Sequence, residues 1–184
     1  PAPLGYSAAG VVVAVDPANT RFRVGDRVAC GGAECAFHAE FIAVPDLLAA
    51  PVPALVESWQ AAYTTLCAVA LQAVRQTEPR LGDRVLVIGQ GLVGLLVTNL
   101  LAASGARVMA VDIDASRRPF AEVAGAEHVV IPGPQLLAEE VRAWTEGHGV
   151  DAAVICTATD SNTPIEQAAE ALRDRGRLVD VGIT

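Results

Sequence analysis

The stretch that decides the fold is Arg84-Val-Leu-Val-Ile-Gly89-Gln-Gly91-Leu-Val-Gly94. An apolar run enters a GxGxxG spacing, and a second apolar segment, Leu92–Ala103, follows it. The short run bounded by glycine reads as a buried strand and the longer segment as a helix. Each glycine has its own physical reason. Gly89 permits the tight turn, Gly91 lets the backbone approach a pyrophosphate, and Gly94 lets the helix pack close to the strand. The helix N-terminus then offers unpaired N–H groups and a partial positive charge to phosphates. The spacing alone is a weak signal, but its context is the required one. A second strand, Arg107–Val111, ends in Asp112, 18 residues after Gly94, close to the roughly 20 at which an acidic residue meets the ribose. A carboxylate there accepts hydrogen bonds from the ribose hydroxyls of NAD and repels the 2′-phosphate of NADP. The competing reading is a Gly-rich turn in an unrelated α/β fold, with Asp112 merely closing a strand. Arg117 and Arg118 suit either the adenine or a 2′-phosphate, or are two solvated helix arginines; Asp112 decides for NAD(H).

Outward from this motif the chain alternates. Strands are expected at Arg84–Ile88, Arg107–Val111, 128–131, 152–155 and 178–181, and helices at Leu92–Ala103, 116–124, 135–146 and 163–174. Apolar strands separated by helices imply a parallel sheet covered on both faces, a doubly wound Rossmann architecture. Ligands bind such sheets at the carboxyl ends of the strands. Leu92 and Val93 at the helix start, Cys156 and Thr157 after the fourth strand, and Val181 and Gly182 after the fifth are therefore candidate cofactor contacts, with Gly89, Gly91, Gly94, Asp112 and Arg117. For Cys156 a small buried hydrophobe is preferred over a reactive thiol.

Before the motif the sequence reads differently. Strands are expected at 10–15, 24–30 and 37–44, the last alternating apolar with polar residues, and turn residues separate them. Pro45, Pro51 and Pro53 mark a connecting segment. Ser58 is a candidate N-cap for a helix over 61–74. Residues 1–55 and 56–184 are thus two domains, the second dinucleotide-binding. The chain begins at Pro1 and ends at Thr184 in strand-like sequence, so a piece of a longer protein is expected.

Composition narrows the class. Just over half of the 184 residues are hydrophobic (52%) and the net charge is −8, so a core can form and no basic stripe for nucleic acid exists. No apolar run reaches the roughly 18 residues of a membrane span. All 13 basic residues are arginine, as in chains from GC-rich bacterial genomes. Four cysteines without CxxC pairing, and no secretory signal at the start, fit free thiols in a reducing cytoplasm.

The order and spacing of Gly5-Tyr-Ser-Ala-Ala-Gly10-Val-Val, Phe22-Arg-Val-Gly-Asp-Arg-Val28, His38-Ala-Glu40-Phe, Leu81-Gly-Asp-Arg and the glycine motif resemble the medium-chain dehydrogenase/reductase superfamily, the alcohol dehydrogenase-like enzymes and quinone reductases. The resemblance spans nearly the whole chain. It implies that the first 50 or so residues are part of a GroES-like β-barrel and that the Rossmann sheet lacks its last strand. It also implies an alcohol or carbonyl substrate in the cleft between the domains and, since relatives join sheet edges, a homo-oligomer. Gly25-Asp-Arg-Val-Ala-Cys30, His38-Ala-Glu40 and Cys156-Thr-Ala-Thr-Asp-Ser-Asn162 further resemble the dehydrogenase half of bacterial two-part oxidoreductases.

The chain departs from the zinc members of that superfamily. They carry Gly-His-Glu where this chain has Gly5-Tyr6-Ser7, and the third ligand position falls at about Thr64, three residues from Cys67. Cys30 and Cys35 do not make a four-cysteine structural site. A catalytic zinc needs about three protein ligands, so no metal is expected. Tyr6, at the vacated ligand position, is then a candidate general acid, with a packed barrel tyrosine as the alternative. His38 is a second candidate acid or base, against a plain surface histidine. Tyr63 is a weaker cleft candidate; His128 and His148 have no visible partner. The expected function is an NAD(H)-dependent, zinc-independent oxidoreductase. A zinc alcohol or polyol dehydrogenase with displaced ligands, such as Cys67 and His38, stays open, as does a non-catalytic dinucleotide-binding module.

Overall fold

A computed structural model describes residues 4–132 and 137–181. The chain divides into two compact units, Pro1–Ala68 and Val69–Thr184.

The first unit holds an antiparallel sheet in the order β1 (Ser7–Val11), β2 (Arg27–Gly31), β3 (Ala49–Pro51). Val28 and Cys30 of β2, with Ala36 and Ala49, form its small core, and Phe22, Ile42 and Val44 pack against them. Three sequence expectations fail here. The strand expected at 10–15 ends at Val11, paired with Arg27, and Asp16 turns the chain by accepting from Ala18 N–H at 2.8 Å. The strand expected at 24–30 starts only at Arg27, because Gly25 has φ +97° and sits in a turn. The segment 37–44 is not a strand. Local turns take its backbone, with Ala36 N–H donating to the Gly32 carbonyl and Ala39 N–H to that of Phe37. Ile42 and Val44 pack on the core while Phe41 is 71% exposed, so the side chains that pack are not the ones the apolar–polar alternation put on one face. The third strand is β3, whose Pro51 is tolerated because the strand lies at the sheet edge.

Two helices follow, α1 (Ser58–Ala61) and α2 (Thr64–Thr77). Glu57, not Ser58, is the N-cap of α1, and it forms a capping box with Gln60. The single helix expected over 61–74 is broken between Ala61 and Thr64, where the Thr64 hydroxyl donates to the Ala61 carbonyl at 2.7 Å. The first unit extends through Ala68, past the 55/56 division read from the sequence. The Ser7 hydroxyl donates to the Ala62 carbonyl at 2.6 Å and the Thr65 hydroxyl to that of Cys30 at 3.4 Å, which ties these helical residues to β1 and β2.

The second unit is a five-stranded parallel sheet of β4 (Arg84–Ile88), β5 (Arg107–Val111), β6 (His128–Val130), β7 (Val150–Ile155) and β8 (Leu172–Asp180), in the order β6-β5-β4-β7-β8. Its helices are α3 (Leu92–Ala103), α4 (Arg118–Ala124), α5 (Leu137–Trp144) and α6 (Thr163–Ala171). Alternate strand residues feed two cores. Val85, Val87, Val108 and Val154 pack with α2 and α3, while Leu86, Ile88, Met109 and Ile155 pack with α5 and α6. A sheet covered on both faces explains why these strands are nearly all apolar. The helix expected at 116–124 opens as a 3-10 turn, with Asp114 as its cap. The start expected for α5 at 135 lies outside the described residues. Helix α6 ends at Ala171, three residues short of 174, because Leu172 already pairs with Val150. The irregularity that follows has Arg175 at φ 62°. Among the described residues, no helix is long and apolar enough to cross a membrane.

Candidate functional site

The chain leaves β6 at one edge and re-enters the sheet as β7 on the other side of β4. The switch point therefore lies between β4 and β7, at their carboxyl ends, and a ligand crevice is expected there. The residues at this end are Gly89 after β4, Asp112 after β5, Cys156 after β7 and Val181 after β8. Backbone bonds bind them into one rim: Gly89 N–H donates to the Val111 carbonyl (2.7 Å), Cys156 N–H to Ile88 (2.8 Å) and Val181 N–H to Ile155 (2.9 Å).

The three glycines differ in what they touch. Gly89 has φ +92°, and a Cβ there would fall 2.8 Å from Thr157 Cγ2 and 2.9 Å from the Cys156 carbonyl oxygen. A Cβ on Gly94 would overlap the Gly89 carbonyl oxygen; α3 packs onto the turn at this point. Gly91 is the N-cap of α3, with φ −72° and ψ −169°, a conformation any residue adopts. A Cβ on Gly91 meets nothing within 4 Å. Neither backbone strain nor internal packing demands glycine there. What a side chain would fill is the open space before the first N–H groups of α3. Leu92, half-exposed, and Val93 provide the first of those groups.

Asp112 closes the other side of the turn. Its Oδ2 accepts from Gln90 N–H at 2.6 Å and its Oδ1 from Asp114 N–H at 2.8 Å. A carboxylate has about four acceptor positions, so each oxygen keeps one for a ligand hydroxyl. Ile113 beside it is 87% exposed. Arg117 lies on the same rim, its Nε 3.5 Å from Asp114 Oδ2.

Thr157 and Cys156 floor the site. The Thr157 hydroxyl is enclosed and finds no partner among the described residues. Burial first, and the Asp180 carboxylate second, push the Cys156 thiol up to about 12, so the thiolate needed of a nucleophile is absent at neutral pH. Gly182 lies outside the described residues.

The glycine spacing gives Gln90 no role of its own. Its side chain is fully buried and bonded to Val87 and Thr98 beneath the turn. The signal was a polar residue wedged between two glycines directly after the apolar run Val85–Ile88.

The candidate catalytic residues, Tyr6 and His38, belong to the first unit. Tyr6 is 46% exposed. The exposed His38 packs its ring so tightly on Gly5, the residue before Tyr6, that a Cβ on Gly5 would overlap it. His38 N–H also donates to the Leu4 carbonyl at 2.8 Å. Tyr63 is 43% exposed. Among the described residues, no group of three or more His, Cys, Asp or Glu could hold a metal ion.

Comparison with known proteins agrees with this architecture. Residues 1–54 match the alcohol dehydrogenase GroES-like domain, and residues 93–184 match the zinc-binding dehydrogenase family. The sorbitol dehydrogenase of Bacillus subtilis is 27% identical over 98% of this chain and 58% of its own length. The phthioceranic/hydroxyphthioceranic acid synthase of Mycobacterium tuberculosis is 35% identical over 97% of this chain but 8% of its own length. Among solved structures, mycobacterial Rv1454c complexed with NADPH superposes with a TM-score of 0.85 at 32% identity, covering 97% of this chain and 56% of that one. The chain thus spans less than two thirds of each of these relatives.

Proposed function

This chain belongs to the medium-chain dehydrogenase/reductase superfamily, and on that premise we propose that it is the NAD(H)-binding part of a zinc-independent oxidoreductase acting on an alcohol or carbonyl carbon. The observation that carries the cofactor reading is Gly91, a glycine with no internal reason to be one, placed before the N-terminus of α3. The open cradle at Gly91 fits a pyrophosphate, and the enclosed, orphaned Thr157 hydroxyl fits a site that is completed by a ligand.

In this reading the N–H groups at the start of α3 hold the pyrophosphate. Asp112 accepts from the adenosine ribose hydroxyls through the oxygen positions its backbone partners leave open. Cys156 and Thr157 line the floor, and Cys156 stays a neutral thiol. When bound, the nicotinamide accepts or delivers the hydride. Tyr6 would be the group that donates a proton to a substrate oxygen in reduction and accepts it in oxidation, with His38 as the alternative acid. The free state of Cys30, Cys35, Cys67 and Cys156 suits a reducing cytoplasm, where we place the protein.

The donor set does not fit the zinc of the family. Tyr6 offers a phenol and Thr64 a neutral hydroxyl, where zinc takes thiolate, imidazole or carboxylate. Ser7 likewise offers only a neutral hydroxyl.

One observation favours a second cofactor, the NADPH bound by the mycobacterial relative. Asp112 opposes it, because a 2′-phosphate would meet a carboxylate. Arg117, the candidate phosphate partner, already sits beside Asp114. Titration of the chain with NADH and NADPH, beside Asp112→Ala, tests the reading. We expect NADH to bind with a dissociation constant on the order of micromolar, NADPH to bind far more weakly, and Asp112→Ala to lose about tenfold toward NADH. A folded chain that binds neither cofactor would falsify the reading.

A further inference from the structure

In the GxGxxG spelling the residue at position 90 is free to vary, yet here it is the polar centre of a buried network. Gln90 and Thr98 are both fully buried. Gln90 Nε2 donates to the Val87 carbonyl at 3.1 Å, and Gln90 Oε1 accepts from the Thr98 hydroxyl at 3.1 Å. A buried carboxamide is costly unless it is hydrogen-bonded, and a leucine or methionine would fill the space without that cost. The amide does what they would not: it ties the end of β4 to the second turn of α3 from beneath the glycine turn. The backbone N–H of the same residue reaches the other way, to Asp112 Oδ2 at 2.6 Å, while Asp114 N–H holds Oδ1 at 2.8 Å. The carboxylate is gripped from two sides, and its plane is set before any ligand arrives.

We infer that Gln90, locked by Thr98, is a positioning residue for cofactor choice, holding the backbone N–H that keeps Asp112 aimed against a 2′-phosphate. The inference rests on the reading that this turn takes NAD(H). Its logic is preorganisation. A fixed carboxylate cannot swing aside for a second anion, so the repulsion is felt in full. A released carboxylate turns away, and the penalty against the phosphate falls.

Three variants of the full chain test it. Gln90→Met keeps the approximate volume and removes both side-chain bonds. Thr98→Val removes only the donor to Oε1, and Thr98→Ser keeps that donor. The readouts are NADH and NADPH dissociation constants by fluorescence titration, and hydrogen-exchange protection of the residue 90 amide without ligand. The wild-type chain is expected to prefer NADH. Gln90→Met and Thr98→Val are expected to narrow that preference about tenfold, the scale of one hydrogen bond to a charged group, and to lose amide protection. Thr98→Ser is expected to keep both. If Gln90→Met does not fold, Thr98→Val, nearly isosteric, carries the comparison. Parallel weakening of both cofactors with the ratio unmoved would show a merely structural role and overturn the inference, as would a wild-type preference for NADPH. A wild-type chain that binds neither cofactor overturns the NAD(H) reading itself, and the inference with it.

Discussion

Replacing Gly91 by Ser separates what the fold needs from what a ligand needs. The position has the extended backbone of a helix N-cap, and a Cβ there meets nothing within 4 Å. Two effects favour the variant in the free chain. Losing glycine removes unfolded conformations, which stabilises by about 0.4–1 kcal/mol where the native backbone suits the new residue. Serine also caps a helix better than glycine by a few tenths of a kcal/mol. The sum is about 1 kcal/mol, a rise in melting temperature of about 2–4 °C for a chain of this size. The ligand reverses the sign. The hydroxymethyl group fills the space left for a pyrophosphate oxygen, so NADH affinity is expected to fall about 10- to 100-fold, or about 1.4–2.7 kcal/mol. Thermal melts with and without NADH read both effects together. At a hundred times its dissociation constant, NADH stabilises the wild type by about 2.7 kcal/mol; Gly91→Ser should start higher and gain far less. An NADH-dependent shift equal to that of wild type would refute the claim that this glycine serves a ligand. A variant melting several degrees lower without NADH would refute the claim that the space is open.

Gly94→Ala should do the opposite, destabilising the free chain by about 1–3 kcal/mol, because its Cβ overlaps the Gly89 carbonyl oxygen; an unchanged denaturation midpoint would contradict the packing described. Cys156, its thiol pushed up to about 12, should resist iodoacetamide at pH 8 in the folded chain and react in denaturant, as mass spectrometry of the labelled peptide would show; rapid native labelling would sink the argument. At Asp151, burial pushes the carboxyl up, but the Arg173 guanidinium (2.7 Å), the Arg84 N–H (2.8 Å) and both positive charges outweigh it and leave it below its ordinary value. Its contribution is therefore present above the ordinary value of 3.8 and lost as the pH falls through the folded one. Asp151→Asn should cost about 1 kcal/mol at pH 7 and flatten the loss of stability below about pH 4; parallel acid-unfolding curves for the two proteins would count against this.

The Rossmann unit was legible because its signals are redundant. Strands β4 and β5 and helix α3 have the bounds read from the sequence, since each apolar run is closed by glycine or by a charged residue at the sheet rim. The first unit was not, for reasons visible in single residues. Apolar alternation over 37–44 put Phe41 on the inward face, yet Phe41 is 71% exposed and Ile42 and Val44 pack on the core, because turns and not a ladder set the course of this segment. Strand β3 was hidden by its own Pro51, which the sheet edge tolerates. At the candidate site the spacing singled out the glycines and Asp112, and the structure brings them to the same end of the sheet. The Gln90–Thr98 bond was not readable, because it joins residues whose pairing depends on how α3 lies over the end of β4. Tyr6 was singled out through the family pattern alone; the residues around it, half-exposed beside Gly5 and His38, assign it no role by themselves.

The most direct test of the central claim is where NADH touches the chain. Amide resonances of the labelled protein, followed by two-dimensional NMR during an NADH titration, report this without any substrate. If the account is right, the largest shifts fall on Gly89, Gln90, Gly91, Leu92 and Val93 and on Asp112, and NADPH reproduces them only at much higher concentration. If NADH leaves these amides unmoved, or moves only residues far from the start of α3, the dinucleotide reading of this site is wrong.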